Sequence, residues 1–418
     1  MRFPRAIPII LAAVLTSMPS LAAGEAVFRS APPMPRPSVE DRMAEAERYR
    51  AWQQAFRARA IAEGITPGLV DRTLDAVRIS DRVVELDGAQ PEFVRPVSAY
   101  MESAVSPQRV ANGQAMERRY GQLLERIEAR YRVDARVVLA IWGMETAYGS
   151  FRGNFDVIDA LATLAYDGRR RDWAEGELIA ALRILQAGDT RSLTGSWAGA
   201  MGHTQFMPTS YLSFAQDFDG DGRRNIWGED PTDALASAAN YLAENGWVHG
   251  QPWGIEVRLP ERFNYLLADR FLSRPVQLWS DIGVRAANGG PLPDHGNAAL
   301  LLPMGAEGPA FLTFANFDVI RTYNRSTSYA LAVGHLGDRI MGAPAFAAAW
   351  PDDVLPLNRT ERTELQQRLT ALGYDTQGVD GRIGPNTVRA IRAFQADRGI
   401  VPDGHPSNRL LSAVRQAS

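Results

Sequence analysis

One carboxylate in this chain lies where the helical pattern calls for a hydrocarbon side chain. Residues 133–149 predict a single helix, begun by an aspartate and ended near a glycine. Its apolar residues recur at helical spacing and define a face that must be buried: Val137, Ile141 and Met144. Glu145 lies one turn after Ile141 and projects from the edge of that face. Because a carboxyl group among apolar side chains loses hydration of its charged form, we expect a raised pKa at Glu145, as in a general acid. The alternative is a structural glutamate satisfied by an arginine or by helix-end amides.

The first 23 residues have the layout of a secretory signal peptide. Two arginines precede a short apolar run from Ile7 to Leu15, and small residues follow at the expected cleavage site. Residues 24–43 are rich in proline and small side chains and are predicted to form an extended linker. The chain has no cysteine, which excludes disulfides and the lipid-modified cysteine of a lipoprotein. We therefore expect an exported protein that is stabilised by its own core.

Charge, hydropathy and missing motifs argue against several other functions. The formal net charge of −3 gives no electrostatic case for binding nucleic acid. No stretch after the signal peptide is long and apolar enough to cross a bilayer, so no integral membrane segment is expected in the mature chain. The sequence has no nucleophile elbow, P-loop or His-Glu-x-x-His zinc motif. The five histidines are scattered, and we interpret His203 and His249 as packing or groove residues.

Helical periodicity dominates the chain and divides it into two units. Residues 44–342 are predicted to form a mainly α domain with minor β content, whose best strand candidates are residues 255–259 and 310–314. Residues 343–357 are rich in Ala, Pro and Asp without an apolar period, so they are predicted to form a second linker. Residues 358–416 are predicted to form a small three-helix domain.

The C-terminal domain carries a glycine-punctuated loop between two apolar helical stripes. The loop reads Gly-Val-Asp-Gly-Arg-Ile-Gly over residues 378–384, and a proline at a tolerated first-turn position opens the next helix. With Phe394-Gln395 and Pro402-Asp403-Gly404, this pattern resembles the peptidoglycan-binding domain type one, a three-helix module of bacterial wall enzymes. The resemblance implies binding to peptidoglycan glycan strands, which would raise the local enzyme concentration by tethering.

Residues 195–211 combine small side chains, neutral hydrogen-bonding groups and nearby aromatic rings. Ser196 and Gln205 offer uncharged donors and acceptors, while the glycines and alanines allow close backbone approach. Aromatic residues are dense around this stretch: Trp173, Trp197, Phe206, Tyr211, Trp227 and Tyr241. This mixture is typical of sugar recognition. The alternative is a glycine-rich packing turn between helices.

Several of these motifs together resemble the lytic murein transglycosylase B family. They are Ile-Trp-Gly-Met-Glu-Thr-Ala-Tyr-Gly at 141–149, Asp-Ala-Leu-Ala-Thr-Leu at 159–164, Ser-Trp-Ala-Gly-Ala-Met-Gly-His-Thr-Gln-Phe-Met-Pro at 196–208, and Tyr-Asn-Arg-Ser-Thr-Ser-Tyr at 323–329. The resemblance spans residues 44 to 341 and implies a lysozyme-like α-helical fold with one catalytic glutamate, at Glu145.

The same resemblance implies a set of substrate-binding residues. Ser196 and Gln205 would contact the sugars beside the scissile bond. The residues implied to line the rest of the groove are Tyr100, Arg170, Arg171, Tyr241, Tyr323, Asn324 and Tyr329. Tyr100 rests on spacing from Glu145 rather than on a local motif, and a solvated basic turn is the alternative for the two arginines.

The reaction is predicted to need a single carboxylate and no cofactor. Ordinary glycosidases use two carboxylates, yet no second acid shares a motif with Glu145. We therefore predict that Glu145 protonates the oxygen of the β-1,4 bond between N-acetylmuramic acid and N-acetylglucosamine. It would then accept the proton of the muramoyl C6 hydroxyl as a 1,6-anhydro ring forms. The alternatives are a hydrolytic muramidase that uses water as nucleophile and a non-catalytic wall-binding scaffold.

The resemblance and the predicted signal peptide together place the protein in the periplasm. Its expected partners are peptidoglycan glycan strands, with cell-wall synthesis or divisome proteins as further candidates.

A third pattern predicts a structural Ca²⁺ site. Acidic residues alternate and are followed by a glycine, as at the start of an EF-hand loop. The candidate ligands are Asp217, Asp219, Asp221 and Arg223. The usual closing glutamate is replaced by Gly228, and the resemblance assigns the closing role to Asp233. The alternative is an acidic surface turn that caps the next helix.

Overall fold

The structure is a computed structural model that describes residues 38–88 and 95–417. The predicted signal peptide, residues 1–23, and residues 24–37 of the predicted linker lie outside the described residues. The first described helix begins at Val39, ahead of the predicted domain start at residue 44, and the Ser38 hydroxyl caps it by accepting the Asp41 amide at 3.0 Å.

Thirteen helices among the described residues build the larger unit. They are α1 Val39–Ala62, α2 Pro67–Ala76, α3 Asp81–Gly88, α4 Val97–Ala104, α5 Pro107–Tyr131, α6 Ala135–Thr146, α7 Val157–Asp167, α8 Arg171–Ala187, α9 Pro208–Phe214, α10 Thr232–Glu244, α11 Val276–Asp281, α12 Ala315–Tyr323 and α13 Thr327–Ile340. No helix among the described residues is long and apolar enough to span a membrane.

The helices pack into two hydrophobic cores. One core holds α5, α6, α10, α12 and α13, with Ile141 and Leu331 fully buried. The other holds α1, α2, α7 and α8, with Phe56 and Leu161 at its centre. Tyr241 and Tyr323 pack against both cores, so these two rings mark the line where the halves meet.

Short strands form a ribbon and an antiparallel sheet beside the helices. The strands are β1 Phe155–Asp156, β2 Thr194–Gly195, β3 Gly254–Arg258, β4 Arg274–Pro275, β5 Arg285–Ala286, β6 Asn297–Leu301, β7 Pro303–Ala306 and β8 Ala310–Thr313. β1 pairs with β2, and the five-stranded sheet has the order β4-β6-β8-β3-β5. In its centre Leu312 lies opposite Ile255 on one side and Leu300 on the other. Both predicted strand segments therefore belong to this sheet, as β3 and β8.

The predicted second linker, residues 343–357, is held against the larger unit. The ring of Phe346 lies 3.6 Å from that of His335 and 4.8 Å from that of Phe311. The Glu256 carboxylate on β3 accepts the amides of Ala347 and Ala348, each at 2.7 Å. Composition alone did not predict this docking. The segment is held by two aromatic contacts and one carboxylate, and these leave no periodic apolar pattern in the sequence.

The C-terminal unit is a three-helix bundle that also contacts the sheet region of the larger unit, residues 254–313, called the sheet unit below. Its helices are α14 Arg359–Ala371, α15 Pro385–Asp397 and α16 Asn408–Ala417, around a core with Leu365 and Phe394 fully buried. The Asp403 carboxylate accepts the Ala306 amide at 2.8 Å, and Arg392 donates to the Ala268 carbonyl at 2.5 Å. Arg409 adds ion pairs to Glu307 and Asp353.

Candidate active site

Glu145 lies in the last turn of α6, a helix that is buried on nearly all sides. Residues 137–143 are all buried, so the sequence pattern understated how much of this helix lies in the core. The half-buried Glu145 side chain reaches the pocket where the two cores meet. Burial raises the pKa of Glu145 to about 7, although a hydrogen bond from Tyr329 opposes that rise. A carboxyl group with this pKa holds its proton through much of the neutral range, which suits a general acid.

Tyrosine hydroxyls surround this carboxyl group. The Tyr329 hydroxyl donates to Glu145 Oε1 at 2.6 Å. The negative charge of Glu145 adds to burial in raising the pKa of Tyr100 to about 12, and it also raises that of Tyr323. These tyrosines stay protonated at neutral pH, so they act as neutral hydrogen-bonding groups and supply no second charge.

The pocket at Glu145 contains several of the sequence-predicted residues. It is lined by Glu145, Ala200, Gln205, Phe206, Met207, Ser210, Tyr241, Tyr323 and Asn324. The Tyr323 hydroxyl donates to the Thr204 carbonyl at 2.6 Å, and Tyr241 donates to the Thr322 carbonyl at 2.7 Å. These bonds fix both rings on the wall of the pocket, where their faces can stack on a sugar.

The glycine-rich segment is a tight turn that also forms one wall of the pocket. The Ser196 hydroxyl accepts the amides of Ala198 and Ala200, at 3.3 and 3.0 Å. Gln205 has a left-handed backbone with φ of 52°, and its Nε2 donates to the Gly202 carbonyl at 2.9 Å. The turn is compactly packed, and it presents Gln205 to the pocket.

His203 joins this turn to the end of α6, the helix that carries Glu145. Trp142 Nε1 donates to His203 Nδ1 at 3.1 Å, and the Thr146 hydroxyl donates to the His203 carbonyl at 2.7 Å. Burial lowers the pKa of His203, so the imidazole is neutral and its Nδ1 accepts the hydrogen bond from the indole N–H. A Cβ atom at Gly149 would lie 2.5 Å from that ring atom, which explains the glycine there. The sequence analysis interpreted His203 as a packing or groove residue and did not predict these bonds to α6, although its place in the Gly-His-Thr-Gln motif was the available signal.

The two arginines implied for the groove have protein partners and do not line the pocket at Glu145. The Arg170 guanidinium stacks 3.7 Å from the centre of the Trp173 ring and lies 3.7 Å from Asp87. Arg171 donates from Nε to the Ala165 carbonyl at 3.2 Å. Their place at the start of α8 holds the turn between α7 and α8 together.

The acidic loop brings three of its predicted ligands together. Ligand oxygens of Asp217, Asp219 and Asp221 lie within 4.8 Å of one another. Asp217 also accepts the amides of Gly220 and Gly222, at 2.8 and 3.0 Å, which shapes the loop around its carboxylates. These hard oxygen donors fit Ca²⁺.

Asp233 is separate from that carboxylate cluster. Its oxygens accept the amides of Phe218 and Asn225, each at 2.8 Å, so it closes the loop through backbone hydrogen bonds. Arg223, the remaining predicted ligand, donates its backbone amide to Asp221 at 2.8 Å.

Close packing against α6 gives a stability prediction. A Cβ atom at Gly143 would lie 2.6 Å from Cζ of Tyr148, whose hydroxyl is held by the Arg109 carbonyl at 2.9 Å. We expect Gly143→Ala to lower the free energy of unfolding by about 1–3 kcal/mol, measured by urea denaturation. Gly176→Ala is the matched control, because no atom lies within 4 Å of its Cβ position and a helix gains up to about 1 kcal/mol from alanine. Equal stability of Gly143→Ala and wild type would contradict this account.

Comparison with known proteins decides the family. Residues 48–338 match the transglycosylase SLT domain, and residues 358–414 match a peptidoglycan binding domain. The chain belongs to the transglycosylase SLT domain family. The predicted family resemblance, the predicted lysozyme-like helical fold and the predicted lytic transglycosylase class are confirmed by this match and by the relatives below.

Three relatives of this transglycosylase illustrate the likeness. It is 36% identical over 250 residues to the membrane-bound lytic murein transglycosylase B of Escherichia coli (strain K12), covering 58% of this chain and 66% of that protein, just under two thirds. SltB3 from Pseudomonas aeruginosa, solved in complex with NAG-anhNAM-pentapeptide, has a TM-score of 0.84 at 51% identity over 88% of this chain and 99% of that one. The Escherichia coli lytic transglycosylase SLT35, solved in complex with calcium, has a TM-score of 0.60 at 31% identity over 69% and 92% of the two chains.

Proposed function

We propose that this transglycosylase cleaves the β-1,4 bond between N-acetylmuramic acid and N-acetylglucosamine, with Glu145 as its single acid and base. The observation that carries the proposal is the carboxyl group with a pKa of about 7 at the wall of a tyrosine-lined pocket. The solved complexes of SltB3 with NAG-anhNAM-pentapeptide and NAG-NAM-pentapeptide support a muropeptide substrate.

Glu145 would act twice in one turnover. As an acid it gives its proton to the glycosidic oxygen, the bond from that oxygen to muramoyl C1 breaks, and the N-acetylglucosamine side leaves as an alcohol. The substrate's acetamido group assists this departure. As a carboxylate, Glu145 then accepts the proton of the C6 hydroxyl while O6 bonds to C1. The 1,6-anhydro ring that results returns Glu145 to its protonated form.

The lining of the pocket supports a reaction with one carboxylate. Among the described residues that line it, Glu145 is the only acid. Asp156 and Asp159, which follow it in the sequence, instead accept the amides of Asp159 and Arg78 around the start of α7, each at 3.0 Å. With no second carboxylate in place to activate water, a tethered hydroxyl has the advantage, since intramolecular attack reaches effective molarities of about 10⁵ M.

The remaining predicted residues would hold the sugars. Tyr241, Tyr323 and Asn324 join Gln205 in the pocket, and we assign them to the sugars that flank the bond. Tyr100, Tyr329 and Ser196 would contribute from beside the pocket. We place Arg170 and Arg171 further along the groove, where their role is to shape its wall.

Product mass separates this proposal from the hydrolytic alternative. Purified sacculi are digested, and the released muropeptides are weighed by mass spectrometry. The proposal expects 1,6-anhydro products, which are lighter by one water than those of a muramidase. Products that carry the added water would establish hydrolysis, and sacculi left intact would favour the non-catalytic scaffold.

We also propose that the acidic loop binds Ca²⁺ as a structural ion, with no part in the chemistry. The clustered carboxylates of Asp217, Asp219 and Asp221 support this, as does the calcium complex of SLT35. We expect Ca²⁺ at a hundredfold excess over its Kd to stabilise the fold by about 3 kcal/mol, read as a rise in Tm that a chelator reverses.

Loop variants test this calcium proposal. Asp217→Asn should abolish the Tm response to Ca²⁺. Asp294→Asn should keep it, because Asp294 caps an unrelated exposed turn by accepting the Gly296 amide at 2.9 Å. A wild-type Tm that is indifferent to both Ca²⁺ and chelator would remove the site.

The predicted export supports a periplasmic location, and the C-terminal domain supports glycan strands as the main partner. Wall-synthesis and divisome proteins stay further candidates. Fractionation of cells that produce the full chain tests the location, because removal of residues 1–23 should keep the protein in the cytoplasm.

A further inference from the structure

A second group of metal-binding side chains lies at the opposite end of the catalytic helix. Glu128 near the end of α5, Asp134 before α6 and His249 after α10 place one ligand atom each within 4.8 Å of one another. All three side chains are partly buried. The group is distinct from the acidic loop and plays no part in the reaction described above.

The imidazole presents an unsatisfied nitrogen to this group. His249 Nδ1 is buried and has no hydrogen-bond partner among the described residues. It lies 3.9 Å from Glu128 Oε1, too far for a hydrogen bond. A buried polar atom without a partner is costly, and a bound cation would satisfy it.

Each of the two carboxylates is oriented by a hydrogen bond that one of its oxygens accepts. Glu128 Oε2 accepts the Ala135 amide at 2.9 Å, and Asp134 Oδ2 accepts the Trp247 indole N–H at 2.8 Å. Each carboxylate therefore keeps its second oxygen for the shared space. Donors that orient metal ligands in this way are the usual surroundings of protein metal sites.

The turn that carries His249 is fixed by a buried asparagine. Asn316 accepts the Val248 amide at 2.8 Å and donates to the carbonyls of Val248 and Gln251, at 2.8 and 2.6 Å. Its side chain is fully buried, so the turn cannot easily move. The backbone that carries the imidazole is thus fixed before any ligand arrives.

We propose that Glu128, Asp134 and His249 bind a divalent transition-metal ion of the Zn²⁺ type. One imidazole nitrogen and two carboxylate oxygens form a three-ligand set that leaves a fourth position for water. Ligand atoms around tetrahedral zinc lie about 3.4 Å apart, so the 3.9 Å between His249 Nδ1 and Glu128 Oε1 and the limit of 4.8 Å on the other two separations require the side chains to close in on the ion. Arg136 does not occupy the space, because its strong partner is Asp338 at 2.9 Å, whereas Asp134 lies 3.9 Å away.

The ion would join three segments at the start of α6. It would link the end of α5, the residue that precedes α6 and the turn after α10, and so stiffen the start of the helix whose last turn carries Glu145. Its role is therefore structural, and its binding should be visible without any assay of activity.

The test is zinc titration of the full, tag-free chain in excess Ca²⁺, which keeps the acidic loop occupied by calcium. Calorimetry should show one Zn²⁺ per chain and a raised Tm for wild type. Because loss of a ligand costs at least as much as loss of an outer contact, His249→Gln and Glu128→Gln should each weaken binding by about a hundredfold. His295→Gln is the control, since His295 is another half-buried histidine whose ring packs edge-on against Phe314 at 5.5 Å.

A second measurement protects the test against variants that fold poorly. Co²⁺ added to wild type should give the visible absorption bands of a four-coordinate ion, and Zn²⁺ should displace them. A wild type that binds neither ion, or one whose Zn²⁺ affinity survives in a folded His249→Gln variant, would overturn the proposal. Retained wall cleavage by these variants keeps that result separate from any failure of the proposed function.

Discussion

Glu145→Gln should lower the rate of sacculus cleavage by about a thousandfold or more while binding of muropeptides persists. The amide has nearly the shape of the acid but can neither give a proton to the glycosidic oxygen nor take one from the C6 hydroxyl. The measurement is release of muropeptides over time, paired with calorimetric binding of a soluble muropeptide. Substantial residual cleavage would refute the single-glutamate mechanism.

The same variant carries its own control for folding. Burial raises the pKa of Glu145 from its ordinary value of 4.5 to about 7, so the folded state resists ionisation of this group. Below pH 4.5 the group is protonated in both the folded and the unfolded chain, so it does not reduce the free energy of unfolding. As the pH rises toward 7, the unfolded chain ionises first, and the free energy of unfolding falls until the folded group has ionised as well. Glu145→Gln removes this loss, and above pH 7 it should unfold with a free energy higher than that of wild type by up to about 3 kcal/mol. An inactive variant that is also less stable at pH 8 would indicate damage to the fold instead.

Tyr329→Phe should move the alkaline limit of activity to higher pH by about one unit. The Tyr329 hydroxyl donates to Glu145 at 2.6 Å and favours its charged form, so its removal raises the pKa of Glu145 further. A hydrogen bond to a charged group contributes about 1.5–3 kcal/mol, which corresponds to at least one pH unit. Because the acid form starts the reaction, kcat should persist at pH values where wild type has declined, although its plateau falls as Glu145 loses orientation.

A neighbouring tyrosine provides the comparison for this pH profile. Tyr323→Phe deletes a hydroxyl that donates to the Thr204 carbonyl and not to Glu145. It should raise KM while leaving the alkaline limit of kcat near that of wild type. A Tyr329→Phe profile that shifts toward lower pH, or that overlays the Tyr323→Phe profile, would contradict the hydrogen-bond account.

The sequence predicted the position of Glu145 better than that of the residues around it. Helical spacing around Ile141 was enough to place a carboxylate at the edge of a buried face, because one helix and its period determine that position. The family motifs named Gln205 and Tyr323, which lie together in the pocket although 118 positions apart. Single-sequence periodicity gives no distance between segments, so without those motifs their proximity was out of reach.

The features that escaped prediction depend on tertiary contacts between unlike segments. His203 supports α6 through one indole N–H and one carbonyl, and neither bond leaves a periodic trace in the sequence. Glu128, Asp134 and His249 approach one another only because α5, α6 and the turn after α10 meet at one corner. Residues 343–357 were predicted to be a linker because they have no apolar period. Their anchor is instead the carboxylate of Glu256, which lies on a strand far away in the sequence.

The docked second linker and the bonded C-terminal helices set a fixed position of the C-terminal domain relative to the larger unit. Asp403 and Arg392 hold the three-helix domain to the sheet unit, and Glu256 holds the segment between them. A glycan strand bound by that domain would therefore lie at a constant distance from Glu145. The proposed cleavage would then fall at a set distance from the bound segment, and the dimensions of the protein would determine that distance.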